Sequence, residues 1–303
     1  MESAIRSTST ILSTLCAYSG LMKWRIVALL VFTTVTAMIV AANDLPNVQA
    51  LLWTIVAGTM AAGGASALNQ YIDRDLDALM ARTARRPIPS GRVQPINALL
   101  FGLALVAWAV LLFGVFVNWL AASLALIGAL YYVVLYTLVL KRNTTVNIVI
   151  GGGAGAIPVL VGWAAATGTL ALEAFILFAI VFYWTPPHSW ALAILVNKDY
   201  AAANVPMMPV ARGEDVTRLQ ILLYSVQLVL ITLMPGLGLL VPGEDMLGLF
   251  YLASALLLGG GLIYVAWRLI QLADKAMARN TYKYSSMYLA LLFLAMILDR
   301  LIS

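Results

Sequence analysis

The chain has 303 residues, of which 63% are apolar or aromatic and only 10% are charged. A soluble globule of that composition has too few polar residues to cover its surface, so soluble, disordered and collagen-like classes are excluded. The single cysteine, Cys16, excludes an intramolecular disulfide and a cysteine-based metal site. The net charge of +5 fits loops that face anionic lipid, so the lipid bilayer is the expected partner and nucleic acid is not.

Nine apolar segments are long enough to cross a bilayer, at about 20 residues per crossing. They cover residues 25–43, 50–68, 96–117, 119–140, 146–166, 171–196, 219–241, 247–270 and 284–302. We therefore predict an all-α, polytopic membrane protein, a bundle of nine transmembrane helices around a central cavity open to the cytoplasmic side. Residues 1–22 are expected to be a short cytoplasmic tail, and residues 23–303 a single nine-helix domain.

The basic residues predict the orientation of this bundle. In a nine-span arrangement, all of the 18 Lys and Arg residues except Arg300 fall on one side. Cytoplasmic loops carry such an excess, so the N-terminus is predicted inside and the C-terminus outside. The opposite loops, near Asn43–Asn47, Thr167–Thr169 and Pro242–Asp245, carry no Lys or Arg. Neither a secretory signal nor a transit peptide is expected in the first 22 residues.

The cytoplasmic end of the second span carries the densest polar chemistry. Asn69, Asp73 and Asp77 are spaced four residues apart and form one stripe on a helix, while Asp75 points roughly opposite. Carboxylate and amide oxygens on one face suit Mg²⁺, which takes its remaining ligands from water and phosphate. The alternative is a solvated helix end with ordinary ion pairs. Asn69 lies within the apolar span, where an unpartnered polar group is costly, and this favours a functional site.

Two basic segments accompany the stripe on the same side. The loop 82–92 carries four arginines and is interrupted by two prolines, which suits phosphate oxygens, although a basic cytoplasmic loop has the same composition. The segment 141–147 opens the fifth span, and helix N-termini favour anions. The glycines at 151–153 and 155 lack the motif of a phosphate-binding loop, so we expect close approach of helices there.

A second polar constellation runs through the sixth span. Pro186 and Pro187 each remove a helical N–H and disturb the helix, and His188, the only histidine, follows them. His188 is either a packed core residue bonded to a carbonyl, or a metal ligand or orienting hydrogen-bond donor beside a flat aromatic ligand. Asp199 lies at a depth comparable to Asp77 and is predicted to complete the Mg²⁺ site, although it has Leu195 and Ala203, not carboxylates, four residues away on either side.

These motifs resemble the intramembrane prenyltransferases of the UbiA type, and within them the haem O synthase branch. The resemblance covers nearly the whole chain. It is carried by N-x-x-x-D-x-x-x-D at 69–77, M-x-R-T-x-x-R-P-I-P-x-G at 80–91, Y-T at 136–137, K-R-x-T-x-x-N-I at 141–148, W-T-P-P-H-x-W-A-L at 184–192, D-Y at 199–200 and V-P-M at 205–207. Trp24 stands where the family usually has proline.

The resemblance implies transfer of the farnesyl group of farnesyl diphosphate to a vinyl group of haem B, with addition of water, in a bacterial inner membrane. Mg²⁺ is the expected cofactor, and haem A synthase or terminal oxidase assembly proteins are the expected partners. The metal-binding and catalytic residues are predicted to be Asn69, Asp73, Asp77 and Asp199. The diphosphate-binding residues are predicted to be Arg74, Arg82, Arg85, Arg86, Lys141, Arg142, Asn147 and Lys198. The haem-binding residues are predicted to be Trp184, His188 and Trp190.

Two other functions fit parts of this pattern. A prenyltransferase acting on a quinone precursor or a chlorin shares the aspartate motif but does not require the segment 186–190. A secondary transporter places its polar site near the middle of the bilayer, whereas these carboxylates cluster at one end.

Overall fold

The computed structural model describes residues 2–42, 45–238 and 246–302, with side chains from residue 12 onward. Its helices, in chain order, are α1 Glu2–Leu21, α2 Trp24–Ala42, α3 Val48–Ile72, α4 Arg74–Leu79, α5 Pro95–Phe116, α6 Trp119–Asn143, α7 Asn147–Thr167, α8 Leu172–Leu195, α9 Asn197–Ala202, α10 Met208–Ala211, α11 Glu214–Leu233, α12 Leu249–Leu272 and α13 Lys275–Ile302. A 3₁₀ turn, Met234–Gly236, extends α11. Within the described ranges every regular element is helical.

Nine of these helices are long and apolar enough to cross a membrane, namely α2, α3, α5, α6, α7, α8, α11, α12 and α13. The predicted all-α, nine-helix architecture is therefore confirmed, and the protein is a multi-pass membrane protein. The last span is longer than predicted, because its polar first turns from Lys275 are helical too. The N-terminal region contains a helix, α1, where only a tail was expected.

Capping residues explain where several helices begin. Asn47 accepts hydrogen bonds from the backbone N–H groups of Gln49 and Ala50 at the start of α3. Asn118 accepts from the N–H of Ala121 and so separates α5 from α6 at the boundary that the sequence predicted. Its amide also donates to the carbonyl of Ala164 in α7, 2.8 Å away. The predicted loops at Asn43 and at Pro242–Asp245, and the side chain of Arg6, lie outside the described residues.

The α7 helix lies at the centre of the bundle and packs on α2, α6 and α8. The predicted close approach at its glycines is confirmed for Gly151, Gly152 and Gly153, where a Cβ would meet the side chains of Tyr136, Thr185 and Tyr131. Gly155 differs, because a Cβ there would point into open space. This space is part of a partly open cavity of about 640 Å³ between the packed helices.

Candidate functional site

The predicted stripe of polar residues keeps its register across a helix junction. The α3 helix ends at Ile72 and α4 begins at Arg74, but the N–H of Asp73 still bonds the carbonyl of Asn69, and the N–H of Asp77 bonds the carbonyl of Asp73. All three side chains of the stripe are buried, with at most 3% of their surface exposed. Asn69 Nδ2 donates to Asp73 Oδ2 at 2.8 Å.

Each member of the stripe has its own basic partner. Lys141 Nζ lies 2.5 Å from Asp73 Oδ2, and Arg86 Nη1 lies 2.9 and 2.7 Å from the two oxygens of Asp77. Lys23 Nζ donates to Asn69 Oδ1 at 2.7 Å. Buried carboxylates need such compensation. The same cations are placed to bind an anion that arrives beside the carboxylates.

Asp75 lies outside this buried cluster. Its side chain is 59% exposed and pairs with Arg142, with two N···O distances of 2.8 Å. The hydrogen bond from Arg142 lowers the pKa of Asp75 below its usual value. The helical spacing therefore placed Asp75 correctly on the face away from the stripe.

A polar cavity of about 120 Å³ adjoins the stripe. It is lined by Lys23, Asn69, Asp77, Met80, Arg82, Arg86, Tyr132, Tyr136, Lys141 and Tyr200. Four of these side chains are cationic, whereas the buried carboxylates of the cluster are Asp73 and Asp77. A small polar space with this excess of positive charge is suited to a phosphate or diphosphate group.

Lys23 has a strongly altered acidity. The pKa of Lys23 is lowered to about 7, mainly because the ammonium group is buried. The positive charges of Arg86 and Lys141 lower this pKa further. Burial also raises the pKa of Tyr200, so its hydroxyl remains a hydrogen-bond donor at neutral pH. A phosphate in the cavity would meet one lysine whose charge depends on pH in the physiological range.

The other predicted diphosphate-binding residues divide into two groups. Arg142 Nη2 approaches Asp73 Oδ1 to 3.8 Å, and Asn147 is fully buried beside the carbonyl of Lys141. Three are exposed and do not line the polar cavity, namely Arg74, Arg85 and Lys198. Arg74 instead lies over the ring of Tyr71, 4.7 Å from its centroid.

Asp199 is not among the residues that line the polar cavity. It is half-buried on α9, and its neighbour Tyr200 lines that cavity instead. The part of the chain that the structure describes contains no group of three Asp, Glu, His or Cys residues arranged to hold a metal. The role of Asp199 as a metal ligand stays a prediction.

The donors that are present fit Mg²⁺. Asp73 Oδ1 is a buried hard oxygen that accepts no hydrogen bond, although Asp73 itself does not line the polar cavity. Asp77 and Asn69 supply further oxygen atoms on the same stripe. A set of two carboxylates and one amide is sufficient for an ion that keeps several waters and takes phosphate oxygens as ligands.

The larger cavity of about 640 Å³ continues from the polar one into the bundle. Lys23, Tyr132 and Tyr136 line both spaces. Beyond them the wall is mostly apolar and comes from α2, α3, α6, α7, α8 and α13. The two cavities form one site with a charged end and a hydrocarbon-like end.

The predicted haem-binding residues are separated by the structure. His188 and Trp184 line the large cavity and stack with ring centroids 4.3 Å apart. Trp190 is fully buried and packs edge-on against Tyr224 in a core cluster, and it is not part of the cavity wall. Haem contacts of all three residues stay predictions, and the geometry favours Trp184 and His188.

Sequence reasoning did not assign Lys23, Tyr132, Tyr136 or Thr137 to the site. Residues Tyr131–Leu140 of α6 form a π-helix, so Thr137 Oγ1 donates to the carbonyl five residues earlier. This winding places Tyr132 and Tyr136 in stacked contact at the cavity and brings Thr137 within 3.1 Å of Asn69 Nδ2. The sequence offered one signal for this part of the site: Tyr132 and Tyr136 lie four residues apart near the polar end of an apolar span.

The fold and the site define a multi-pass membrane protein with a cationic pocket beside an apolar cavity, and comparison with known proteins assigns its family. The UbiA prenyltransferase family matches residues 30–295. The chain belongs to this family.

Curated relatives share about half of their aligned residues with the chain. The protoheme IX farnesyltransferase of Roseiflexus sp. (strain RS-1) is 48% identical over 285 residues, which is 94% of this chain and 52% of that protein. The protoheme IX farnesyltransferase of Gloeothece citriformis (strain PCC 7424) is 47% identical over 298 residues, 98% of this chain and 91% of that protein. The chain thus spans about half the length of some relatives and nearly all of others.

Solved structures share the fold at low sequence identity. A digeranylgeranylglyceryl phosphate synthase has a TM-score of 0.78 at 19% identity, with 96% of this chain and 99% of that one covered. A UbiA homolog from Archaeoglobus fulgidus with bound GPP and Mg²⁺ has a TM-score of 0.61 at 16% identity, with 93% and 99% covered.

Proposed function

We propose that the protein transfers the farnesyl group of farnesyl diphosphate to a vinyl group of haem B, with addition of water, giving haem O and diphosphate for haem–copper oxidase biogenesis. The observation that carries the proposal is the junction of the two cavities, a cationic pocket of about 120 Å³ beside an apolar chamber of about 640 Å³. This shape suits a substrate with a diphosphate head and a long hydrocarbon tail. The names of the curated relatives support the same acceptor and donor.

At the charged end, Lys23, Arg86 and Lys141 bind the diphosphate oxygens. Asp73 and Asp77, with Asn69, would hold Mg²⁺, and the bound ion would supply positive charge to the diphosphate. As the bond between the farnesyl C1 and the diphosphate oxygen breaks, negative charge grows on the diphosphate, and preorganised cations stabilise that charge. Lys141 and Arg86 must turn part of their hydrogen bonding from the carboxylates to the substrate for this purpose.

The apolar chamber has two tasks in the proposed reaction. It excludes water, which would otherwise react with the allylic cation as soon as it forms. The rings of Tyr132 and Tyr136 at the junction of the two cavities can stabilise that cation through their faces. The haem vinyl carbon then forms the new bond to C1, and the resulting porphyrin-stabilised cation takes up water and releases a proton.

The orientation follows from the position of the site. The start of α2, the end of α3, the loop after α4 and the end of α6 meet at the polar cavity, so their basic residues share one side of the bundle. We propose that this side faces the cytoplasm in a bacterial inner membrane, with the N-terminus inside.

The test is a product assay with purified protein, farnesyl diphosphate and Mg²⁺, supplied with haem B or with a quinone precursor. Mass spectrometry is expected to show a haem that has gained one farnesyl group and one water, and an unchanged quinone precursor. Prenylation of the quinone precursor alone would assign the chain to a different acceptor. Consumption of neither donor nor acceptor, together with counterflow of a solute in vesicles, would favour a transporter.

A further inference from the structure

The imidazole of His188 is held on three sides. One face stacks on Trp184, with 4.3 Å between ring centroids and 22° between planes. The other aromatic neighbour is Tyr282 of α13, with its ring centroid 4.7 Å away. The third contact is polar, with His188 Nδ1 lying 2.8 Å from Ser285 Oγ. None of these three contacts involves Nε2, and His188 is part of the wall of the large cavity.

The hydrogen bonds of Ser285 assign the direction of this contact. Ser285 Oγ donates its single proton to the carbonyl of Tyr282, 2.9 Å away. Because that proton is used, Ser285 Oγ accepts from His188, and Nδ1 must carry the imidazole hydrogen. A neutral imidazole with its hydrogen on Nδ1 has a bare lone pair on Nε2.

A second hydrogen bond to Ser285 fixes the distance between helices α8 and α13. Trp184 Nε1 on α8 donates to the backbone carbonyl of Ser285 on α13 at 2.7 Å. Ser285 itself is fully buried, so water does not compete for its hydroxyl. Trp184 and His188 therefore reach the same residue of α13, one through the backbone and one through the side chain.

We infer that Ser285 is a positioning residue that holds His188 with Nε2 unprotonated and directed into the cavity, as the ligand for the iron of the haem substrate. This inference rests on the proposed function, since it takes a metalloporphyrin as the acceptor. Histidine ligands to metals usually donate their other ring hydrogen to a protein oxygen, which fixes the tautomer and the ring orientation. Here the protein oxygen is a hydroxyl that is itself oriented by a helix carbonyl.

The experiment is a titration of the purified full-length chain with ferric haem B, without farnesyl diphosphate, followed by the haem absorption spectrum. Four proteins are compared: the wild type, His188→Ala, Ser285→Ala and Ser225→Ala. Ser225 is the matched control, because it is also fully buried and donates only to a helix carbonyl, that of Ile221. Binding of farnesyl diphosphate with Mg²⁺ checks that each variant is folded.

The wild type and Ser225→Ala are expected to give the same histidine-ligated spectrum, and His188→Ala is expected to lose it. Ser285→Ala should shift the spectrum and weaken haem binding about 10- to 100-fold, the effect usual for removal of a partner of a metal ligand. A Ser285→Ala protein with the wild-type spectrum and affinity would overturn the positioning role. An unchanged spectrum in His188→Ala, or no haem binding by the wild type, would overturn the ligand role.

These outcomes are separate from the fate of the proposed function. If the wild type binds haem through His188 and Ser285→Ala weakens that binding, but no farnesylated haem forms in the product assay, the proposed activity is wrong and the inference on Ser285 stands. If farnesylated haem is formed at wild-type rate by Ser285→Ala with an unchanged spectrum, the inference is wrong and the activity stands.

Discussion

Individual residues at the polar cavity compensate one another's charge before any substrate arrives. Asp73 and Asp77 are fully buried, and each is paired with a cation from a different part of the chain. In these pairs the cations Lys141 and Arg86 compensate the negative charge of the buried carboxylates in the absence of metal. The ion pairs also hold Arg86 and Lys141 beside the cavity where a diphosphate would bind. The free site therefore already contains the carboxylates for a metal ion and the cations for a diphosphate.

Lys23 is expected to take up a proton when the diphosphate binds. Its pKa of about 7 in the free protein leaves it mostly neutral above that pH, and a nearby anion raises the pKa toward the usual value near 10. Affinity for diphosphate should therefore fall as the pH rises from about 7 toward 10. Calorimetry at pH 8 in buffers of different ionisation enthalpy measures the protons taken up. The wild type should take up more protons than Lys23→Met, and equal uptake by the two proteins would contradict the assignment.

Removal of Arg86 is expected to destabilise the fold as well as to weaken diphosphate binding. Arg86→Gln leaves the buried Asp77 without its cation, at a cost of about 3 kcal/mol, the lower end of the range for breaking a buried pair because Arg86 is 22% exposed. Thermal unfolding in detergent measures this loss. Arg212→Gln, which removes an exposed arginine, is the control and should change the midpoint little. Equal midpoints for the two variants would show that the pair with Asp77 contributes nothing.

At the scale of single elements, hydropathy predicted the nine spans but could not predict the internal winding of α6. The bonds of a π-helix join residues five apart, and the apolar pattern of Tyr131–Leu140 is the same for either winding. The sequence likewise did not predict the left-handed backbone conformation of Lys23, whose φ is 53°. Such a conformation costs about 1–3 kcal/mol in a residue other than glycine. The hydrogen bond from Lys23 to Asn69 helps to offset that cost.

The α7 helix offers a direct test of the large cavity. A Cβ on Gly155 would meet no atom within 4 Å, so Gly155→Phe should fold normally and project a ring into the chamber. We expect turnover to fall by about 100-fold, since displacement of a substrate by an ångström can have that effect. Gly260→Phe is the matched control, because that glycine also has open space around it but is exposed on α12. Wild-type turnover in Gly155→Phe would contradict a substrate position in this cavity.

For the molecule as a whole, much of the candidate site could be predicted because its charged residues are unusual in so apolar a chain. The stripe at Asn69, Asp73 and Asp77 was visible from helical spacing, and in the structure all three side chains are buried. The partners of each carboxylate were not visible, because they depend on how α2, α6 and the loop after α4 meet in space. For Trp190 the sequence motif predicted too much. His188, two residues earlier, lines the large cavity, whereas Trp190 packs in the core.

The charge asymmetry of the loops predicts opposite locations for two points of the chain. A reporter inserted at Gly91, in the basic loop, should be cytoplasmic, and one fused after Ser303 should be outside. Gly91 is exposed, so a reporter inserted after it, with the glycine and its φ of 74° retained, avoids the packed core. Paired phosphatase and fluorescent-protein reporters measure the two locations. The same location for both reporters would mean that one of the nine helices does not cross the membrane.

The central claim is that the buried stripe, and not its exposed neighbour, carries the chemistry of the diphosphate. The most direct measurement is the rate of farnesylated haem formation by Asp73→Asn, Asp77→Asn and Asp75→Asn, at equal amounts of folded protein. Asparagine is chosen because it keeps the shape of each side chain. The first two variants should lose about 100-fold or more in rate, as is typical when a preorganised electrostatic group is removed. Asp75→Asn should lose less than about fivefold, because an exposed ion pair contributes only ~0–1 kcal/mol. Equal losses at all three positions would contradict the account.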